Sequence, residues 1–163
     1  HNFMKTFFYL LLLSTFLFSC TNSGNTNSKE ISTESNKFDA ELAKELNADN
    51  YGMKTYVMAF LKRGPNRSQD SITASNLQRS HLDNITKLAN AGKLVLAGPF
   101  LDTGDLKGIY IFDVATIEEA KKLTESDPAI QQGSLIMELK LWYGSAALLQ
   151  INEIHKKIAK IEI

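Results

Sequence analysis

The most restrictive feature of this sequence is a strand-forming segment that is apolar on both faces. Successive side chains of a strand point to opposite sides of the sheet. In MKTYVMAFLKRG, residues 53–64, six consecutive side chains are apolar, with Tyr56, Met58 and Phe60 on one face and Val57, Ala59 and Leu61 on the other. A sheet with such strands must be covered on both faces, because soluble monomers rarely expose apolar patches beyond roughly a few hundred Å².

Two amphipathic helices are predicted along the chain. The longer one runs from about Thr73 to Ala91, and Gly92 can end it in the left-handed conformation. The shorter one covers residues 117–126, and the spacing of Thr116 and Glu119 is that of a capping box.

The order of strands and helices predicts an α+β fold. Four strands are expected, at residues 53–64, 93–100, 108–114 and 134–144. With the two helices they form the ferredoxin-like order β-α-β-β-α-β, in which both helices cover one face of an antiparallel sheet. A short helical lead-in is expected at 38–52, and an extra C-terminal helix at 145–163.

The sheet face opposite the helices needs its own cover. A second copy of the chain is the simplest cover, because symmetric dimers are the commonest oligomers. We therefore expect a homodimer formed through the open sheet face. The C-terminal helix also carries a stripe of isoleucines at heptad-like spacing, which we expect to pack on the domain or on its dimer mate.

The N-terminal segment has the pattern of an export signal. From Met4, the expected start, one lysine precedes a short apolar run, too short to span a bilayer. Residues 1–19 are therefore interpreted as a signal peptide. The sequence LFSC, ending at Cys20, resembles a bacterial lipoprotein box, which implies lipidation of Cys20 and a periplasm-facing anchor in the cell envelope; an ordinary cleaved signal is the alternative. Residues 20–37 are polar and predict a flexible tether.

Composition excludes several function classes. Eighteen basic residues balance eighteen acidic ones without a basic stripe, so nucleic acid is not an expected partner. The chain has neither a phosphate-binding loop nor a G-x-S-x-G motif. The core domain contains one histidine and no cysteine, which supplies a transition-metal site poorly. Neither a cofactor nor a metal is expected.

One titratable ring lies where an apolar residue is expected. His81 follows the spacing of Leu77, Ile85 and Leu88 and therefore falls on the buried face of the long helix. It is either a core histidine whose nitrogens bond to nearby groups or an acid–base group. Asp127 precedes Pro128, the pattern of a helix cap. A carboxylate has two oxygens, so the cap leaves one free for an imidazole.

Three stretches together resemble the YCII-related domain family over residues 53–144. They are His81-Leu82, AGKLVLAGPF (residues 91–100) and DPAIQQG (residues 127–133). The resemblance implies a dimeric α+β barrel and an enzyme built on a His81–Asp127 pair.

The resemblance also bears on the surroundings of that pair. Gly98 and Pro99 are expected to allow a close approach of the backbone at a pocket mouth, although a turn at the strand end would explain them equally well. Many members carry an arginine where this chain has Gln78. The ligand is then less charged, or Arg63 or Arg67 serves instead.

Three functions follow as hypotheses. The first is a cofactor-free enzyme of lyase, isomerase or hydrolase type acting on a small organic molecule, with His81 as general acid–base and Asp127 orienting it. The second is a membrane-tethered module that binds a small ligand without converting it. The third is a structural role for the C-terminal isoleucine stripe.

Overall fold

The computed structural model describes residues 37–161. The strands are β1 (Met53–Arg63), β2 (Leu94–Pro99), β3 (Leu106–Phe112) and β4 (Leu135–Ser145). The helices are α1 (Ala40–Glu45), α2 (Ser71–Asn90), α3 (Ile117–Thr124), α4 (Pro128–Gln131) and α5 (Ile151–Ile158), with a 3₁₀-helix at Ala146–Gln150. The predicted signal peptide, the lipidation site Cys20 and all of the tether except Lys37 lie outside the described residues.

The four strands form one antiparallel sheet in the order β2-β3-β1-β4. The central strand β1 pairs with β3 on one side and with β4 on the other, so that Ala59 lies opposite both Tyr110 and Leu139. The α+β class predicted from the sequence is confirmed.

Two helices cover one face of the sheet. Leu88 of α2 and Ala120 of α3 belong to the same buried cluster as the inward side chains of β1 and β3, which are Val57, Ala59, Leu61, Tyr110 and Phe112. This cluster is the main hydrophobic core, and it joins the C-terminal part of α2 and helix α3 to β1 and β3.

The opposite face is partly covered by the chain itself. Tyr56, Val95 and Ile111 form a second buried cluster, against which Leu148 and Leu149 of the 3₁₀-helix pack. The side chain of Asn152 donates a 2.9 Å hydrogen bond to the carbonyl oxygen of Leu94 and so holds α5 against β2. The part of this face near β2 is therefore covered by the C-terminal segment and does not need a second subunit.

The rest of that face, toward the other end of β1, remains open. Ile136 of β4 is 52% exposed. A cavity of about 370 Å³ lies here, lined by Phe60, Lys62, Asp105, Leu106, Glu138 and Lys140.

The C-terminal segment differs from the uniform helix predicted for 145–163. Strand β4 continues to Ser145, whose hydroxyl accepts a hydrogen bond from the amide of Ala147, and a 3₁₀ turn follows before α5 begins. Of the isoleucine stripe, Ile151 is half-buried, whereas Ile154, Ile158 and Ile161 are exposed. Within residues 37–161, no helix is both long and apolar enough to cross a membrane.

Helix ends follow short-range signals. Asp70 caps α2 by accepting from the amides of Ile72 and Thr73, so the helix begins two residues before the predicted start. Gly92 has a φ of +67° after the end of α2, as its position predicts. The predicted capping box at the start of α3 is present.

Candidate active site

Asp127 is positioned by the start of the short helix α4. It is the N-cap residue, Pro128 follows at the first helical position, and Oδ1 accepts a 2.8 Å hydrogen bond from the amide of Ala129. The side chain is completely buried. The cap fixes one carboxylate oxygen and turns the other toward α2.

His81 meets that second oxygen. Its Nδ1 lies 2.7 Å from Oδ2 of Asp127, and the residue is only 8% exposed. A carboxylate without solvent needs hydrogen-bond donors, since burying an unpaired charge is costly. The structure thus brings together the two residues that the sequence singled out, and Asp127 both caps a helix and contacts the imidazole.

The hydroxyl of Tyr110, on β3, is the hydrogen-bond partner of the other ring nitrogen of His81. This hydroxyl lies 3.2 Å from Nε2 of His81, and the two rings are nearly parallel, with centroids 6.3 Å apart. Tyr110 is buried as well, at 2% exposure. The imidazole is therefore held at both nitrogens, by α4 on one side and by the sheet on the other.

The hydrogen-bond donors and acceptors around the ring determine the tautomer of His81. Asp127, when ionised, can only accept, so Nδ1 must carry the hydrogen. With a neutral imidazole, Nε2 is then an acceptor for the Tyr110 hydroxyl, and every polar atom of the three side chains has a partner. Protonating Nε2 would turn the hydroxyl oxygen of Tyr110 into an acceptor and leave the hydroxyl hydrogen without an acceptor among residues 37–161.

The electrostatics of Tyr110 agree with that assignment. Burial raises the pKa of the Tyr110 phenol well above its ordinary value, and the negative charge of Asp127 raises it further. The hydroxyl therefore keeps its hydrogen at neutral pH and can donate it to Nε2.

A second contact from α2 lies beside the first. Ser126 Oγ lies 2.7 Å from the carbonyl oxygen of Leu123 and 3.1 Å from Oδ1 of Asn84, so its hydroxyl faces two acceptors. The Asn84 amide nitrogen is a buried atom without a hydrogen-bond partner among residues 37–161.

A cavity of about 310 Å³ lies beside the His81–Asp127 pair without including it. Its walls are Gln69, Thr73, Asn76, Leu77, Ser80 and Gln132. Gly98 and Pro99 line neither this cavity nor the one on the open sheet face. The arginines considered as anion ligands, Arg63 and Arg67, are exposed and line neither cavity, and the same holds for Gln78.

The close backbone approach expected at Gly98 and Pro99 involves a different glycine. A Cβ on Gly98 would meet nothing within 4 Å, whereas a Cβ on Gly108 of β3 would lie 2.5 Å from the Gly98 carbonyl oxygen. Gly108 is thus the residue that must lack a side chain here. Within residues 37–161, no three side chains of His, Cys, Asp or Glu come together as metal ligands would.

Tyr110 is the member of the site that sequence reasoning missed. It lies in the apolar strand segment GIYIF, where an aromatic residue is ordinary core material. The available signal was a hydroxyl in a strand predicted to be buried, because a buried tyrosine usually finds a hydrogen-bond partner.

Comparison with known proteins gives the family background of this site. A family model described as the YCII-related domain matches residues 55–143, more than half of the chain. No curated protein matches the sequence. Among solved structures, the chain is similar to 5-chloro-2-hydroxyhydroquinone dehydrochlorinase from Burkholderia phenoliruptrix AC1100 in complex with 2,5-dihydroxybenzoquinone, with 19% sequence identity and a TM-score of 0.40. That similarity covers 53% of this chain and 92% of the dehydrochlorinase chain.

Proposed function

The chain belongs to the YCII-related domain family, and we propose that it is a cofactor-free enzyme that moves a proton on a small organic molecule. His81 is the general acid–base, and Asp127 is the residue that orients it. The observation that carries the proposal is the 2.7 Å contact between Nδ1 of His81 and a fully buried carboxylate. Such a carboxylate fixes the tautomer and stabilises the imidazolium that forms when the ring takes a proton.

Nε2 is the nitrogen that would do the chemistry. In the resting state it accepts from the Tyr110 hydroxyl, so a substrate must replace that hydroxyl as its partner. Nε2 then takes a proton from an O–H, N–H or acidic C–H group, and the pair of electrons from that bond stays on the substrate. Returning the proton to another atom of the substrate gives an isomerisation, and loss of a leaving group that takes up the proton gives a lyase reaction. In a hydrolysis, Nε2 instead takes the proton from a water molecule, whose oxygen attacks the substrate while the leaving group departs with that proton.

Turnover screening with matched variants tests this proposal. We expect a conversion that His81→Ala abolishes and that Asp127→Asn lowers by at least about a hundredfold, the usual scale of acid–base contributions. His155→Ala is the control, since His155 is exposed on α5 and distant from the site along the chain. Conversion that survives His81→Ala would refute the assigned role.

A second candidate function is ligand binding without chemistry. It is favoured by the occupied state of Nε2 and by a cavity whose walls include neither His81 nor Asp127. In this case the buried trio only stabilises the fold. A ligand retained unchanged by the native chain, and equally by the His81→Ala variant, would favour this function.

We infer that the chain is exported and lipid-anchored through Cys20. The apolar N-terminal run and the LFSC sequence support this localisation. Metabolic labelling with a fatty acid should mark the native chain and leave a Cys20→Ser variant unlabelled. Equal labelling of both would exclude Cys20 as the anchor.

We also infer that the domain is a ferredoxin-like homodimer. The chain order of strands and helices supports that topology, and the sheet with its helices fits the dimeric α+β barrel fold of the family. The open part of the sheet face around Ile136 is the proposed contact surface. Light scattering should give twice the chain mass, and Ile136→Lys should give the monomer mass with unchanged helix content. A monomeric native chain would overturn this inference.

A further inference from the structure

The cavity of about 310 Å³ beside α2 is lined by uncharged groups that both donate and accept hydrogen bonds. Five of its six lining side chains are amides or hydroxyls: Gln69, Thr73, Asn76, Ser80 and Gln132. Leu77 supplies the apolar wall. The cavity is open to solvent, since Thr73, Asn76, Ser80 and Gln132 are exposed, and its volume is at the lower end of the range for small-molecule sites, roughly 300–1,000 Å³.

Some of these polar groups are already engaged and others are free. Gln69 donates to the hydroxyl of Ser134 at 3.0 Å, and Thr73 donates to the Asp70 carboxylate at 2.8 Å. Within residues 37–161, no hydrogen bond engages the side chains of Asn76, Ser80 or Gln132. The free groups offer two amides and one hydroxyl to a molecule in the cavity.

Two charged side chains near the cavity have partners within the chain. Asp70 caps α2 and accepts a hydrogen bond from the Thr73 hydroxyl, so its negative charge lies next to one lining side chain. Arg79, next to Ser80 in sequence, pairs with Asp83 on the exposed side of α2. An anion would thus meet no cation in this cavity, whereas a neutral polar molecule would find both donors and acceptors.

The cavity is built by the same two elements that carry His81 and Asp127. Leu77 and Ser80 lie on α2, and Gln132 is the C-cap residue of α4. Leu77 precedes His81 by four residues, and helical side chains lean toward the N-terminus. The imidazole of His81 is therefore expected to lean toward the turn that carries Leu77, and His81 itself does not line the cavity.

We propose that this cavity binds small uncharged molecules bearing a carbonyl or amide group together with a hydroxyl or N–H group. Identifying the occupant as the substrate rests on the proposed function; the binding itself does not. Leu77 is then the side chain that borders both the ligand and the imidazole of His81.

Benzamide and benzoate form a matched pair of probes, since they share a ring and differ in charge. Titrated into the full chain and followed by backbone amide NMR, benzamide should give saturable shifts at Ser80 and Gln132. We expect benzoate to bind at least about tenfold more weakly, a difference of about 1.4 kcal/mol. Equal or tighter binding of benzoate, or no saturable shifts with benzamide, would overturn the proposal.

A pair of variants locates the binding. Asn76→Leu removes one free amide from the wall and should weaken benzamide binding about three- to tenfold, the usual range for one neutral hydrogen bond. Asn90→Leu makes the same change at an exposed position of α2 outside the cavity and should leave the affinity unchanged. Equal effects of the two variants would place the probe elsewhere.

The two proposals can fail separately. His81→Ala should keep benzamide binding, since His81 does not line the cavity, while it abolishes any turnover. Binding at Ser80 without any His81-dependent turnover refutes the enzyme and supports the site. Turnover that depends on His81, in a chain that does not bind benzamide, refutes the site and supports the enzyme.

Discussion

Nδ1 of His81 lies 2.7 Å from Oδ2 of Asp127, although 46 residues separate them in the chain. Because the other carboxylate oxygen caps α4, Asp127→Asn allows a precise test. The introduced side chain can keep the cap with its oxygen, but its amide nitrogen then donates to Nδ1, so the imidazole hydrogen should move to Nε2. We expect the ¹⁵N shifts of the ring to report reversed tautomers in the native chain and the variant.

The matched control for that reversal is Asp83→Asn, on the exposed side of the same helix. It should leave the ring shifts of His81 unchanged. If the native ring already carries its hydrogen on Nε2, the tautomer assigned to His81 between Asp127 and Tyr110 is wrong.

Tyr110→Phe should destabilise the fold. The change leaves Nε2 of His81 buried without its present donor, and an unsatisfied buried acceptor costs about 1–3 kcal/mol. Urea denaturation would measure the loss, with Tyr51→Phe as control, because Tyr51 is 87% exposed. Equal stability of the two variants would mean that the hydroxyl of Tyr110 contributes nothing.

Alkaline pH should destabilise the fold through two buried phenols. Burial, and to a smaller extent the charge of Asp113, raises the pKa of Tyr56 to about 12 from its ordinary 10.0, and the pKa of Tyr110 is raised as well. Between these values the unfolded chain loses protons that the folded chain keeps, so stability is intact below pH 10.0 and falls as the pH rises toward 12.

The free energy of unfolding should therefore be lower at about pH 11 than at about pH 9, and Tyr56→Phe should reduce the difference. An unchanged difference in that variant would contradict the shift at Tyr56.

Glycine should be required at one of two facing positions and dispensable at the other. Gly108→Ala would put a Cβ 2.5 Å from the carbonyl oxygen of Gly98, a backbone atom that cannot move aside cheaply, so a loss of at least about 2 kcal/mol is expected. Gly98→Ala meets nothing within 4 Å and should stay within about 1 kcal/mol of the native chain. Thermal unfolding of the two variants would compare them directly.

Glu138 should titrate at unusually low pH. The ion pair with Lys62, followed by that with Lys140, lowers the pKa of Glu138 to about 2. Its contribution to stability is present above the ordinary value of 4.5 and is lost as the pH falls through 2. Lys62→Met should raise the pKa more than Lys140→Met does, as measured by carboxyl ¹³C NMR. The opposite ranking would show that Lys140 is the main partner.

Local signals made much of this fold predictable. The alternation in residues 53–64 predicted β1, Gly92 predicted the end of α2, and Thr116 predicted the start of α3, because each signal acts over a few residues. Helix α2 begins two residues before the predicted start, because the carboxylate of Asp70 caps its first turn. Capping residues need no distant partner, and that is why sequence patterns report them.

Contacts between distant segments were less predictable. His81 was identified by its wrong polarity on an apolar helix face, but its two partners come from α4 and β3. The Asp–Pro pattern predicts Asp127 as a helix cap, but its pairing with His81 follows only from the family resemblance. Tyr110 was missed because its role depends on the register that places it under His81. In the same way, the spacing of apolar residues in the C-terminal segment does not predict that Leu148 packs back against the sheet.

The two contacts of α2 with the turn before α4, His81 with Asp127 and Asn84 with Ser126, make a four-residue helix part of a larger cooperative unit. So short a helix has no stability of its own, since isolated helices shorter than about 12 residues are marginal in water. The amide of Ala129 can exchange its hydrogen only when the Asp127 cap opens. The exchange rate of the Ala129 amide should therefore report how often the Asp127 side chain leaves the imidazole of His81. That frequency is the frequency with which the site opens.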